Sequence, residues 1–320
     1  MQAVRLRFLT KEESPKLPFF FRFLPPSKRE RLLPLFRPFL MEERTGEPAL
    51  SDCVLQTKQR AGFSPQWKRA FSLLDTTLKD GGTAILIPPT DGEWKEYSLP
   101  LAKGEKLAGL FAFAGASEAL KRKGKDPADA SWLITGGDPA RWEALSAVMG
   151  NEVNRLSLFT ARPKDAAPFC EKLYRERGLV TEVFSSPKNP AFQKADAVLS
   201  CGMEQLPLEY LLKTGAFWLD LAGCRSVLRR LLSVRPDVTA CEGFFFKDGE
   251  KQREGREAEA LLFLKEPAFR RLWETDFHPD ETFLLTLPET SLSVSGFSAL
   301  GKRVKIPKNQ GKNGFSGVKH

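Results

Sequence analysis

Residues 131–150 read SWLITGGDPARWEALSAVMG, and this stretch decides the fold. Trp132, Leu133 and Ile134 form a short apolar, β-branched run that stops at Gly136 and Gly137. Pro139 then opens an amphipathic segment that closes on Gly150, the order expected of a strand, a tight turn and a helix. A strand that turns through glycine into a helix N-terminus directs backbone N–H groups at an anion. Thr135, Gly136 and Gly137 are therefore candidate cofactor-binding residues, and an N-cap role for Asp138 on a purely structural turn is the competing account.

Outward from this turn the alternation continues to Cys241. Strand candidates occupy 155–160, 179–184, 196–201, 217–222 and 238–246, separated by KDAAPFCEKLYRERG, NPAFQKA, PLEYLLKTG and RSVLRRLLSV. Such alternation builds a parallel sheet with right-handed crossovers, so a doubly wound, Rossmann-like α/β domain is expected. At the end of the second strand the chain reads Thr160, Ala161, Arg162, Pro163, Lys164. NAD-selective domains carry an acidic residue at that position and phosphate-selective ones an arginine. Arg162 can grip a 2′-phosphate bidentately, with Lys164 adding charge, which makes NADP the expected cofactor. A solvated loop arginine is the alternative.

The first hundred residues form an α/β unit of their own. QAVRLRFL alternates as a strand and DCVLQT is a second strand candidate. A helix near SKRERLLPLF, capped by Ser27, is confined between prolines. SPQWKRAFSLLDTTLKDG places Trp67, Phe71, Leu74 and Leu78 at helical spacing, and GTAILIPP follows as a strand. LAGLFAFAGASEALKRKGKDPADA reads as a long helix joining this unit to the next, its basic end suited to the helix dipole. REAEALLFLKEPAFRRLWETD is helical with a break at Pro267, and is expected to pack back on the first unit.

The divisions expected are residues 1–105, a substrate-binding type of α/β domain with helices from 255–285 added, residues 106–250, the Rossmann-like domain, and residues 290–320, a basic flexible tail. The formal charge of +9 favours anionic partners. After Glu289 there is no acidic residue, and Lys302, Arg303, Lys305, Lys308, Lys312 and Lys319 follow among Gly, Ser and Asn. Nucleic-acid contact through that tail is a minority option. No apolar run approaches membrane-spanning length and the N-terminus meets charge early, so a cytoplasmic protein with no membrane partner is expected. The five cysteines are scattered without CxxC pairs and there are two histidines, so buried free thiols and no metal site are expected. Nothing in the sequence specifies an oligomeric state.

The glycine turn, TARPKDAAPFCEKL, ADAVLSCGM and WLDLAGCRSVLRRLL, in that order, resemble the shikimate dehydrogenase family. The resemblance spans roughly residues 2 to 270. It implies a substrate domain followed by a nicotinamide-cofactor domain, with hydride transfer to or from a shikimate-like hydroxy or keto acid. In EESP, Ser14 is implied to bind substrate, although Glu12 stands where the family has a first serine. In GFSPQWKRAFSLLD, Lys68 is implied to be the catalytic lysine that exchanges the alcohol proton; a plain helix lysine is the alternative. Cys201 and Gly202, in LSCGM, are implied to border the cofactor. Leu110 to Phe113 stand where the family carries an Asn-Thr-Asp element, and Thr135 and Asp138 replace two glycines of its phosphate loop. These departures support a second expectation from a different class, a catalytically inactive binding or regulatory protein.

Overall fold

A computed structural model describes residues 1–8, 39–43, 49–55, 65–89, 99–202, 208–274 and 292–306. The chain divides into two compact units, Met1–Gly104 with Arg256–Glu274, and Glu105–Gly255 with Thr275–His320.

In the first unit, β1 (Gln2–Phe8), β2 (Phe39–Glu43), β3 (Leu50–Leu55) and β4 (Thr83–Ile87) form a sheet of order β2-β3-β1-β4. β1 lies parallel to β3 and β4, and β2 runs antiparallel to β3. Helix α1 (Pro65–Asp80) connects β3 to β4. Its Leu74 and Leu78 join Val4, Leu6, Cys53, Leu55 and Leu86 in one core, as their helical spacing requires. Two late helices complete the unit, α8 (Gly255–Lys265) and α9 (Pro267–Glu274), divided at Pro267 as proline demands. Arg5 ties the sheet to α8 by pairing with Asp52 at 2.8 Å and with Glu257 at 3.0 Å. Buried Glu259 accepts the N–H of Gly104 at 2.9 Å. The helix expected near Ser27 lies outside the described residues.

The second unit opens with α2 (Glu105–Leu110) and α3 (Ala112–Arg122). The single long helix expected from the apolar spacing is thus divided at Phe111. Six parallel strands follow, β5 (Trp132–Thr135), β6 (Leu156–Phe159), β7 (Thr181–Phe184), β8 (Ala197–Ser200), β9 (Phe217–Asp220) and β10 (Thr239–Cys241). The connecting helices are α4 (Pro139–Ala147), α5 (Ala167–Arg177), α6 (Ala191–Lys194) and α7 (Arg225–Val234). The sheet order is β10-β9-β8-β5-β6-β7. The central strands β5, β8 and β9 are buried at every position, which is why they read as continuous apolar runs and not as alternation. Leu133, Val198, Trp218 and Ala240 share one face with Phe192, Leu228 and Leu231 from the helices over it.

At the amino ends of these strands Asp196 accepts the N–H of Ser131 at 2.9 Å and is paired with Lys125 and Lys213. Burial works against its charge, but the bonds from Lys125 and Lys213 prevail and hold the carboxyl below its usual range. This cluster secures the sheet at the end away from the strand-to-helix turns.

Two expectations need correction. VTACEGFFF is not one strand, because Glu242 separates β10 from β11 (Gly243–Asp248), which belongs to a different sheet. That sheet is antiparallel, of order β12-β11-β13-β14, with β12 (Lys251–Glu254), β13 (Leu292–Ala299) and β14 (Lys302–Val304). The start of the expected flexible tail is therefore ordered strand. Phe297 and Ala299 are buried, and the Phe297 ring meets Phe244 and Phe217 edge-on at 5.9 and 5.6 Å. Burial of these apolar groups outweighs the Gly- and Ser-rich composition that suggested a solvated segment.

Candidate functional site

The sheet order reverses direction between β5 and β8, and parallel α/β sheets place ligands at that point, outside the carboxyl ends of the strands. Two glycine turns meet there. Gly136 and Gly137 leave β5 with φ of +66° and +84°, a left-handed conformation that side chains other than glycine's resist. Gly202 follows β8, and a Cβ on Gly136 would overlap the Gly202 carbonyl. A Cβ on Gly137 would stand 2.9 Å from the Cβ of Cys201 and 3.1 Å from Nε1 of Trp142. The turns are thus in backbone contact, and side chains lock them together. Trp142 Nε1 donates to the Gly136 carbonyl at 2.8 Å, and Arg141 Nη1 donates to the Cys201 carbonyl at 2.6 Å.

The N-terminus of α4 is occupied from within the chain. Asp138 Oδ1 accepts the N–H of Arg141 at 2.9 Å, and Pro139 brings no N–H of its own. The positive end of the helix already faces a carboxylate. At this end of the site the residues present fit a diphosphate only beside the Asp138 charge.

A row of polar side chains crosses the same strand ends. Thr135 pairs in register with Ser200, and Ser200 with Asp220. Residues in register on parallel strands share a face, here the face of Leu133, Val198 and Trp218. All three are buried, at 0, 1 and 3% exposure, and each keeps one oxygen without a hydrogen-bond partner, Thr135 Oγ1, Ser200 Oγ and Asp220 Oδ2. An unpartnered buried oxygen is costly, and here three stand on adjacent strands. Asp220 Oδ1 accepts the N–H of Ala222 at 3.0 Å. Burial raises the Asp220 carboxyl to about 6; turn amides at Ala222 and Cys224 oppose the rise, and Glu242 and Glu105 add to it. Near neutral pH this group is poised to exchange a proton or, when protonated, to donate a hydrogen bond. The neighbouring Cys201 thiol is raised to about 12 by burial and is no nucleophile at neutral pH.

Arg162 and Lys164 lie just past the carboxyl end of β6, the strand next to β5. The buried Thr160 hydroxyl accepts the N–H of Arg162 at 3.2 Å and shapes this bend. The Arg162 side chain is 67% exposed, with Asp165 3.4 Å away. An exposed pair of this kind is held weakly and leaves the guanidinium available to an anion.

Of the residues singled out from sequence, the structure gathers Thr135, Gly136, Gly137, Cys201 and Gly202 at the strand-order reversal, with Thr160, Arg162 and Lys164 one strand away. Lys68 lies in α1 of the first unit, and its side chain is outside the described residues, as is all of Ser14. Ser200 and Asp220 escaped the sequence reading. Their signal was present, since WLIT, AVLS and FWLD each end an apolar run on a hydrogen-bonding side chain.

No family model matches the chain, and no curated protein matches it. Solved structures do. The chain is similar to quinate dehydrogenase from Corynebacterium glutamicum in complex with NAD, at 12% identity over 89% of this chain and 99% of that one, TM-score 0.33. It is likewise similar to shikimate 5-dehydrogenase from Listeria monocytogenes in complex with shikimate and NAD, at 11% identity over 90% and 96%, TM-score 0.33. The match to Δ1-pyrroline-2-carboxylate reductase from Thermococcus litoralis, at 16% identity and TM-score 0.27, spans 36% of this chain and 35% of the length of that protein.

Proposed function

We propose that this protein is an NADP(H)-dependent oxidoreductase of the shikimate dehydrogenase type, transferring hydride to or from a shikimate-like hydroxy or keto acid. The observation that carries the reading is the reversal of strand order between β5 and β8, with glycine turns on both sides of it. Arg162, Lys164 and Thr160 would hold the adenosine ribose and its 2′-phosphate, and Gly136, Gly137, Cys201 and Gly202 would border the rest of the dinucleotide. The bound nicotinamide supplies the hydride chemistry. Lys68 exchanges the alcohol proton, a role that rests on the sequence resemblance.

Calorimetric titration with NADPH and NADH tests the reading. NADPH is expected to bind more tightly, and Arg162→Ala to lower its affinity roughly 10- to 100-fold while sparing NADH, the scale of a charge-assisted bidentate contact. Failure of NADPH to bind ends the proposal.

One observation favours a second reading, a catalytically inactive shell with a binding or regulatory role. Asp138 places a carboxylate on the helix end where a diphosphate would be received, and Leu110 to Phe113 replace the acidic element of the linker. Steady-state reduction of NADP⁺ by shikimate or quinate would exclude it.

A further inference from the structure

The antiparallel sheet of the second unit carries a feature that neither reading uses. Phe244, Phe246 and Phe297 point inward and are fully buried, which turns Phe245 and Lys247 to the opposite, outer face. Arg303 on β14 pairs with Ser298 on β13, yet its guanidinium reaches across β13 and lies over the Phe245 ring on β11, 5.5 Å from the centroid. Gly296 of β13 makes that crossing possible. A Cβ there would stand 3.0, 3.1 and 3.3 Å from Nη2, Nε and Cζ of Arg303. The Nε–Nη2 edge of the guanidinium therefore passes directly over Gly296, where a side chain would block it. The group is pinned in its plane, Nη1 donating to Gln252 Oε1 at 3.1 Å and Nη2 to the Ser295 carbonyl at 3.2 Å. Both acceptors are neutral, and among the described residues Arg303 makes no ion pair. The side chain is exposed.

We infer that the outer face of this sheet binds single-stranded nucleic acid, an unpaired base stacking on the exposed plane of Arg303 and the phosphates meeting the surrounding lysines. A planar cation fixed on an aromatic ring is a ready stacking surface, because every base has a π-face and guanidinium planes accept it. Lys247 is exposed on this outer face, Lys305 is exposed one residue past β14, and Glu254, in register with Phe245, is the acidic residue of the same face. Duplex bases are already stacked on one another and present no free π-face to the guanidinium. An anionic lipid surface would use the lysines but gain nothing from a stacking plane.

The test is fluorescence anisotropy of a labelled 12-nucleotide oligothymidylate, and of a duplex of the same length, with the full chain at 50 and 200 mM salt. Single strand is expected to bind more tightly than duplex and to weaken with salt. Arg303→Ala and Arg303→Lys are each expected to lose about 5- to 100-fold in affinity, the lysine variant because it keeps charge but not the plane. Lys247→Glu, on the same face and outside the stack, is expected to weaken binding and lower its salt dependence, and it serves should either Arg303 variant fail to fold. Removal of residues 307–320 should leave the Arg303 effect in place. Equal affinity for duplex, unchanged binding by Arg303→Lys, loss confined to the tail deletion, binding to phosphatidylserine vesicles in place of the oligonucleotide, or no binding would each overturn the inference.

Discussion

Ser200 and Asp220 stand opposite one another on adjacent parallel strands, and each keeps a buried oxygen without a hydrogen-bond partner. With Thr135 on the next strand they form a continuous polar line at the carboxyl ends of three otherwise apolar strands.

The Asp220 carboxyl, raised to about 6 chiefly by burial, makes stability depend on pH in a definite direction. The folded chain holds this proton more tightly than the unfolded chain, whose aspartate titrates near 3.9. The contribution is therefore fully present below about pH 4 and is lost as pH rises through about 6. Asp220→Asn removes it. Urea unfolding at pH 4, 5, 6 and 7 should show the variant gaining about 2 to 3 kcal/mol on the wild type across that range. A constant difference would show that Asp220 is not perturbed.

The contact between Gly136 and Gly202 predicts that Gly136→Ala is destabilising by roughly 2 to 4 kcal/mol, left-handed strain adding to overpacking against a carbonyl. Gly178 has a similar φ of +65° with nothing within 4 Å of an added Cβ. Gly178→Ala should therefore cost only the strain, about 1 to 2 kcal/mol. Equal losses in denaturant melts would mean that the two turns are not in contact.

Asp138 serves as the cap of α4, so Asp138→Ala should cost about 1 kcal/mol and Asp138→Ser much less, because a hydroxyl also accepts the Arg141 N–H. The serine variant also removes the charge facing a diphosphate. Under the oxidoreductase reading its NADPH affinity should rise, and calorimetry on both variants separates the two effects. A fall in affinity would mean that the carboxylate itself contacts the ligand.

Lys68→Ala should lower turnover by about 10²- to 10⁴-fold while leaving NADPH affinity within a few-fold of wild type. Stopped-flow hydride transfer, followed by loss of NADPH absorbance, makes the comparison. An unchanged rate would assign the proton exchange to another group, and Asp220 would be the next to vary.

Much of this architecture was legible because its signals are local. Apolar runs ending in glycine located β5, β8 and β9, Pro267 divided α8 from α9, and Asp138 before Pro139 and Arg141 announced a cap. Where the reading failed, a distant partner had decided the outcome. Phe244 and Phe246 look like a continuation of β10, and only the packing of Phe244 against Phe297 and Gly115, and of Phe246 against Phe111, shows that a second sheet begins at Gly243. Residues 292–299 look solvated until the strand they pair with is known.

The sequence by itself determined the alternation of strands and helices, the glycine turn after β5, and the basic pair after β6, since hydrogen-bond periodicity, capping and left-handed turns depend on residues a few positions apart. Tertiary structure alone decided the strand order, and with it which strand ends became neighbours. Thr135, Ser200 and Asp220 each close a separate apolar run. They become one polar row only because the crossovers set β5, β8 and β9 side by side in register, and which strands become neighbours depends on crossovers that span dozens of residues, not on any one strand's own pattern.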